Sequence, residues 1–351
     1  MKGVIMGLLR EISSKYRVVS VIGMAKNAGK TTTLNYLIAE AEDEGLRLGI
    51  TSTGRDGETV DLVTGTEKPK VFLPEDAIVA LPSELYELSD AGLEILRLTE
   101  HSTSMGQVML CRVAESGYVQ IAGPVSTSGQ KEICAEMLGL GAEMVLIDGA
   151  IDRRAIANPE ASDAVILATG AALSRSMSKV AEETACVAEL YGLPEIDEAW
   201  MRDEILKESN AGKIIIFKGD RARVSELKTG LAAGAALGNL IKKDEGYVYI
   251  PGALTGSVIA GLPTDVLRNT AIIVADPTRI FLDRTEWMRL RKKGLRVFLM
   301  AGVKIAAITV NPWSPEGYSF DSDALVESIG AFVSGIPVID IRKGKRDENF
   351  K

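Results

Sequence analysis

The chain has 351 residues, 46% of them hydrophobic and 25% charged, so it is long enough for about two domains and too apolar for a disordered polymer. Its 40 Lys and Arg against 48 Asp and Glu give a formal net charge of −8, which excludes a general attraction to nucleic acid or anionic lipid. Three cysteines without paired spacing argue against a disulfide framework or a zinc site, and the single His101 argues against a Ser-His-Asp triad.

The sequence contains no pattern typical of export or membrane insertion. The only apolar stretch near its start, residues 3–9, is too short to span a bilayer and has no small-residue cleavage site after it. Unpaired cysteines suit a reducing compartment. We therefore expect a cytoplasmic protein that binds neither nucleic acid nor membrane.

In the first half of the chain, short apolar runs alternate with amphipathic segments, which predicts strands alternating with helices. Residues 18–22 are typical of a buried parallel strand, and residues 31–44 place Leu34, Leu37 and Ile38 on one helical face. The further predictions are strands at 48–53, 71–73, 77–81 and 93–98, a hairpin of 106–113 with 117–122, a helix at 129–140 capped by Ser126, strands at 144–147 and 164–168, and a helix at 177–191.

Gly192 and Pro194 end the last of these helices and mark a domain boundary. We expect a nucleotide-binding domain over residues 1–194 and a second α/β domain, for a partner or substrate, over residues 195–351. Short apolar runs predict its strands at 213–217, 247–250, 271–275, 296–299, 305–310 and 337–341. Polar turns follow three of these runs. Residues 252–257 could form an anion-binding nest, and the turns at Asp276 and Asn311 could line a substrate or partner cleft, but turn chemistry explains all three without a functional role.

A glycine-bounded loop joins the first strand to the first helix and carries the strongest functional signal. It runs Gly23-Met-Ala-Lys-Asn-Ala-Gly29-Lys30-Thr31, where backbone amides would face phosphate, Lys30 would reach the β and γ phosphates, and Thr31 would ligate Mg²⁺. The first glycine stands one position early, so the spacing is G-x5-G-K-T and not G-x4-G-K-T. The expected nucleotide contacts are Gly23, Asn27, Ala28, Gly29, Lys30, Thr31 and Thr32.

A magnesium-nucleotide site needs a carboxylate at the end of a neighbouring buried strand. Asp148 follows such a strand, and a turn-capping role is its alternative. Asp56, in a Gly-Arg-Asp-Gly-Glu loop, is a second candidate for the metal, against a plain surface loop. Arg153, after the Asp148 strand, could clamp a γ-phosphate or form a surface salt bridge. The expected catalytic residues are Lys30, Asp148 and Arg153, and the expected metal ligands are Thr31, Asp56 and Asp148.

The loop at Gly23–Thr31, the Asp56 loop and the Leu-Ile-Asp148-Gly-Ala run together resemble the P-loop proteins of the dethiobiotin synthetase and cobyrinic acid synthase class. The resemblance covers about the first half of the chain and implies an α/β fold whose mostly parallel sheet has helices on both faces, binding ATP with Mg²⁺. More narrowly, the pattern is similar to reactivase subunits that accompany cobalamin-dependent lysine 5,6-aminomutase. Lys26 lies one place later than the lysine of the division-site ATPases that acts across a dimer, so it receives no such role, and a homodimer remains open.

Three functions follow from this resemblance. The first is an ATPase whose nucleotide state is coupled to a protein partner, an aminomutase-type enzyme on the narrower resemblance. The second is an ATP-dependent small-molecule ligase or kinase, with the second half as a substrate pocket. The third is a regulatory module that binds nucleotide without hydrolysing it. ATP is favoured by the resemblance alone, since no guanine-reading Asn-Lys-x-Asp motif is present.

Overall fold

The computed structural model describes residues 7–53, 70–149, 161–208, 212–228, 237–238, 240–241 and 246–344. The chain forms two compact units. The first combines Met1–Ala185 with Lys304–Lys351, and the second is Cys186–Val303. The second unit is therefore inserted into the first in sequence, with chain segments of the first unit on both sides of it.

The first unit is built on a nine-stranded sheet. Its order is β18-β17-β9-β1-β8-β2-β4-β6-β5, where the strands are β1 (Val18–Gly23), β2 (Leu48–Ser52), β4 (Ile78–Pro82), β5 (Gly92–Thr103), β6 (Gly106–Glu115), β8 (Met144–Asp148), β9 (Ala164–Gly170), β17 (Lys304–Asn311) and β18 (Val338–Ile339). Neighbours from β18 to β4 pair in parallel, and β6 and β5 add an antiparallel edge. The short strands β3 (Val71–Leu73) and β7 (Gly117–Val119) form a separate antiparallel pair.

Two apolar layers lie on the two faces of this sheet. The helices of the unit are α1 (Leu8–Ser13), α2 (Lys30–Glu44), α3 (Ser83–Glu87), α4 (Thr127–Gly139), the first turns of α5 (Met177–Tyr191), α10 (Ser322–Gly330) and α11 (Ile341–Gly344). In β8, Met144 and Leu146 pack with α2, whereas Val145 and Ile147 pack with α4. Since alternate residues of a strand point to opposite faces, α2 and α4 cover opposite sides of the sheet. The expectation of a mixed α/β protein with a mostly parallel central sheet is confirmed.

The second unit has a five-stranded sheet of its own, in the order β11-β10-β12-β14-β16. Strands β12, β14 and β16 are parallel, whereas β10 is antiparallel to both of its neighbours. The elements are β10 (Lys213–Lys218), β11 (Arg221–Lys228), β12 (Tyr247–Tyr249), β13 (Leu254–Thr255), β14 (Ala271–Val274), β15 (Ile280–Phe281), β16 (Val297–Leu299), α6 (Ala199–Glu208), α7 (Gly256–Ala260), α8 (Thr264–Asn269) and α9 (Arg284–Lys292).

Two expectations from sequence differ from this arrangement. Residues 106–113 do not form a hairpin with residues 117–122: β6 turns back on β5 at Gly106, whose φ is 101°, and β7 pairs with β3. The second domain does not extend over 195–351, because β17 and β18 pair into the first sheet. Both differences concern which strands pair, and pairing depends on distant parts of the chain. Among the described residues, no helix has the length and apolarity needed to cross a bilayer.

Candidate functional site

The glycine-bounded loop leaves the carboxyl end of a central strand. Strand β1 lies between β9 and β8, and the loop after Gly23 leads directly into α2. Gly29 is the N-cap of α2 with a left-handed φ of 101°, and no side chain caps the helix. The positive end of the α2 dipole therefore faces the carboxyl edge of the sheet, where an anion is stabilised.

Lys30 crosses this loop toward β8. A Cβ atom at Gly23 would lie 2.9 Å from Lys30 Cγ, so glycine at position 23 leaves room for the stem of the lysine. Lys30 Nζ donates a hydrogen bond to the carbonyl oxygen of Gly149 and lies 3.9 Å from Asp148 Oδ1. The structure therefore brings together the predicted loop, the predicted lysine and the predicted strand-end carboxylate.

Backbone and side-chain bonds fix the end of β8 between its neighbours. Ser52 Oγ and the Thr53 amide both donate to the carbonyl oxygen of Asp148, at 3.1 and 3.2 Å, and the Gly149 amide donates to Val21 at 3.0 Å. The side chain of Asp148 is 31% exposed. The carboxylate is thus fixed at the strand end, with Oδ1 buried and the rest of the side chain partly exposed.

The described residues offer few ligands for a metal ion, which fits a Mg²⁺ ion whose other ligands are phosphate oxygens and water. They contain no cluster of three or more His, Cys, Asp or Glu that could hold a metal by itself. One carboxylate, Asp148, and one hydroxyl, Thr31 at the first turn of α2, match the sparse protein ligation typical of Mg²⁺, whose remaining positions are filled by water and phosphate oxygens. Asp56 and Arg153 lie outside the described residues, as do Arg55, Glu58 and Arg154.

Asn311 is a site residue that the sequence reasoning assigned to turn chemistry. Its Nδ2 donates to the carbonyl oxygen of Asn27 at 3.1 Å, and a Cβ at Gly29 would lie 3.0 Å from Asn311 Cβ. Two residues earlier on the same strand, Thr309 Oγ1 is 2.8 Å from Thr33 Oγ1 of α2. In the sequence, Asn311 stands out only as a polar residue after an apolar run. Its contact with the loop at Asn27 could not be inferred, because β17 follows the second unit in the chain and is distant in sequence from that loop.

The loops after β9 and β17 pack on each other beside Asn311. Tyr318 donates its hydroxyl to Ala171 O at 2.6 Å, and Arg175 pairs with Glu316 at 3.0 Å while stacking over the Tyr318 ring. Trp313, on the same loop, is 57% exposed. A narrow crevice, too tight to admit a water molecule, lies at the start of α2 and is lined by Gly29, Thr32, Asn311 and Arg342, among others.

In the second unit, the turn interpretation of the polar loops agrees with their contacts. The Thr255 side chain accepts a hydrogen bond from the Val258 amide and caps α7. The buried Asp276 accepts from the Thr278 amide at 2.8 Å. These side chains serve local backbone groups, as caps do.

Comparisons with known proteins returned no similar protein: no family model matches the chain, and neither a curated protein nor a solved structure matches it. The resemblance noted from the motifs therefore stays a prediction. Any function must be inferred from the residues of the candidate site and their contacts.

Proposed function

We propose that this protein is a Mg²⁺-dependent ATP-binding and ATP-hydrolysing protein that couples its nucleotide state to a protein partner. The carrying observation is the position of Lys30, which starts α2 and reaches from an uncapped helix N-terminus to the carboxyl end of β8. That arrangement combines a helix dipole, a lysine and a carboxylate at one sheet edge, where open α/β sheets bind ligands.

Each residue has a separate task in this proposal. The first-turn amides of α2 and the Lys30 ammonium bind the phosphates, and Thr31 and Asp148 hold Mg²⁺. Bound Mg²⁺ neutralises charge that develops on the transferring phosphoryl group. Lys30 must exchange its Gly149 contact for a phosphate oxygen, so nucleotide binding is linked to the segment that follows β8. Such a linkage is a means of coupling a γ-phosphate to a partner surface.

Asn311 supports an assignment of the base side of the site. Its amide side chain contacts the loop at Asn27, and it borders the crevice beside Thr32. An amide can donate to and accept from a purine edge. We place the nucleoside over the ends of β9 and β17, with Asn311 beside the base.

A small-molecule ligase or kinase is the second candidate, and buried polar atoms near Asp148 favour it. Among the described residues, Thr53 Oγ1 and Gln130 Oε1 have no hydrogen-bond partner, although Thr53 is 3% and Gln130 1% exposed. Unpaired buried polar groups are costly, and a bound substrate would satisfy them. ATP-dependent formation of a product from a candidate acid would favour this function over partner coupling.

Calorimetric titration with ATP, GTP and ADP, each with and without Mg²⁺, tests the nucleotide site. We expect the variant Lys30→Ala to lose about 100-fold or more in ATP affinity, because charge-assisted bonds to phosphate are lost. The fold should remain, since Ala suits the first position of a helix. Lys131→Ala, an exposed lysine of α4, removes the same charge elsewhere and should bind as wild type does. Equal affinity of Lys30→Ala and wild type would reject the site.

Hydrolysis assays then separate the remaining functions. The coupling proposal expects slow basal turnover, because the partner completes the site. Fast turnover that no added protein changes would contradict it. Stable ATP during a long incubation, despite Mg²⁺-dependent binding, would instead indicate the regulatory module that binds without hydrolysing.

A further inference from the structure

The second unit carries a concentration of positive charge that this acidic chain does not have as a whole. Residues 284–296, which include α9 and the turn after it, contain six Arg and Lys against one Glu. Arg268, Arg291, Lys292 and Arg296 line one shallow depression of about 660 Å³, together with Glu189 as its acidic member. We call this depression, with Met288 and Leu295 on its apolar side, the basic groove.

Most of the charge in the basic groove is not neutralised by the chain. Arg291 Nε lies 3.6 Å from Glu189 Oε1, and Arg296 donates to the carbonyl oxygen of Asn269 at 3.3 Å. In the part of the chain that the structure describes, Arg268 and Lys292 have no carboxylate within ion-pair distance. Apart from the Arg291–Glu189 pair, the cations of the groove repel one another, and an anionic ligand would recover that free energy.

These cations also have a local structural role at the C-termini of two helices. Arg289, Arg291 and Lys292 lie in the last turn of α9, where positive charge stabilises a helix C-terminus. Arg268 lies in the last turn of α8, and Arg296 donates to the carbonyl oxygen of Asn269 at the end of that helix, so both stabilise the C-terminus of α8. Gly294, with φ of 105°, lets the stem of Arg268 cross this turn, since a Cβ there would lie 2.8 Å from Arg268 Cγ. Helix α8 and the segment formed by α9 and its following turn thus both place cations at the basic groove.

The apolar side of the basic groove helps to distinguish between classes of anionic ligand. Met288 is 43% exposed, and methionine is an adaptable contact in protein interfaces. Among the described residues, no aromatic side chain lines the groove, so bases would find no stacking platform there. The adjacent α9 has nine residues, about 13 Å of helix, which matches a short peptide segment better than the repeated phosphate contacts of a duplex.

We propose that the basic groove is the docking site for an acidic segment of a protein partner, one that presents carboxylates to Arg268, Lys292 and Arg296 and an apolar side chain to Met288. The proposal rests on the partner coupling of the proposed function, but not on nucleotide binding. A rim of cations around an apolar contact gives both steering and specificity for such a segment.

The test measures fluorescence anisotropy of a labelled synthetic peptide of about 15 residues, with Glu on one helical face and Leu on the other, titrated with the full chain. Wild type should bind it saturably, and binding should weaken several-fold between about 50 and 200 mM salt. The variant Arg268→Gln/Lys292→Gln should weaken binding about tenfold. Gln is used because a carboxylate at the α9 C-terminus would oppose the helix dipole.

Lys131→Gln/Lys304→Gln is the matched control, since both lysines are exposed in the first unit and the same charge is removed. Equal weakening by the two double variants, or no saturable binding to wild type, would overturn the proposal. Tighter binding of a duplex DNA of about 15 base pairs would overturn it in favour of nucleic acid.

Met288→Ser replaces Arg268→Gln/Lys292→Gln if that double variant fails to fold. Unchanged peptide binding by Lys30→Ala would show that the groove stands even if the nucleotide site does not.

Discussion

At the residue scale, the position of Lys30 decides what the candidate site can do. A lysine that pointed to solvent would lose side-chain entropy to reach a phosphate, whereas Lys30 is already held by Gly149 O and lies near Asp148. In the proposed function this ammonium would donate to a phosphate oxygen. The position of Lys30 is thus set before any ligand binds.

Asp148→Asn keeps the size of the side chain and removes its charge. We expect the Mg²⁺-dependent part of ATP affinity to fall about tenfold, because a neutral amide is a poor ligand for a hard cation, while binding measured in EDTA stays the same. Titration calorimetry of both forms is the check. Asp43→Asn, an exposed carboxylate on α2, is the control, and retained Mg²⁺ dependence in Asp148→Asn would refute the metal role.

The cysteines Cys111 and Cys134 take no part in this chemistry. Burial raises the pKa of Cys111 to about 12 and that of Cys134 also to about 12. Both thiols are therefore protonated near neutral pH, and a thiolate nucleophile is not available at either position. The candidate site depends on lysine, carboxylate, hydroxyl and backbone groups.

At the scale of elements, the contact between β9 and β17 forms the part of the candidate site where we propose that the base lies. The two strands pair in parallel through Asn311 and Gly170, and the Ala171 amide then donates to Asn311 O at 2.9 Å. Gly170 has φ of 154°, and a Cβ there would overlap the carbonyl oxygen of Asn311. Only glycine permits this approach, so the joint between the two strand ends depends on one residue.

Gly170→Ala is expected to destabilise the protein by about 3 kcal/mol or more, because the added methyl would overlap a backbone oxygen in a conformation that alanine avoids. Gly45→Ala is the matched control. Gly45 caps α2 with φ of 67°, and no atom lies within 4 Å of the position that a Cβ would take, so its change should cost only about 1 kcal/mol of backbone strain. Urea unfolding measures both, and equal costs would contradict the packing argument.

At the scale of the whole molecule, the first unit is completed by the last part of the chain. β17 pairs with β9, and β18 forms the edge beyond it, although the whole of Cys186–Val303 intervenes. The apolar core of the unit includes Ala307, and Thr309 bonds to α2. The sheet beside the candidate site therefore cannot be completed by the residues before Cys186 alone.

A chain that ends at Val303 should consequently fail to fold its first unit. Removal of β17 exposes the edge of β9, whose residues are all buried, and such an apolar edge aggregates. Size-exclusion chromatography and circular dichroism should show aggregation or loss of the cooperative transition. A chain that ends at Gly344 keeps every described element and should remain monodisperse to the same degree as the full chain. A folded, well-behaved chain ending at Val303 would contradict this account.

Local sequence patterns were sufficient to predict many of the helices and strands, and the glycine-bounded loop between β1 and α2. Apolar runs at 18–22, 144–147 and 164–168 became strands, the segment 177–191 became α5, and Ser126 caps α4 with a 3.1 Å bond to Gly129 N. These features depend on short-range periodicity and capping, which neighbouring residues specify. The juxtaposition of Lys30 with the Asp148 strand end was likewise predicted, because parallel strands end at one edge.

Only the tertiary structure decided which strands meet. The pairing of β6 with β5, the return of β17 to β9, the contact of Asn311 with the loop at Asn27, and the gathering of Arg268 with Lys292 all join parts of the chain that local patterns cannot connect. Strand pairing and charge clustering are set by the packing of the whole core, whose free energy is shared among many distant residues. The glycine-bounded loop before α2 was thus predictable from the sequence, whereas its contact with Asn311 and the basic groove were not.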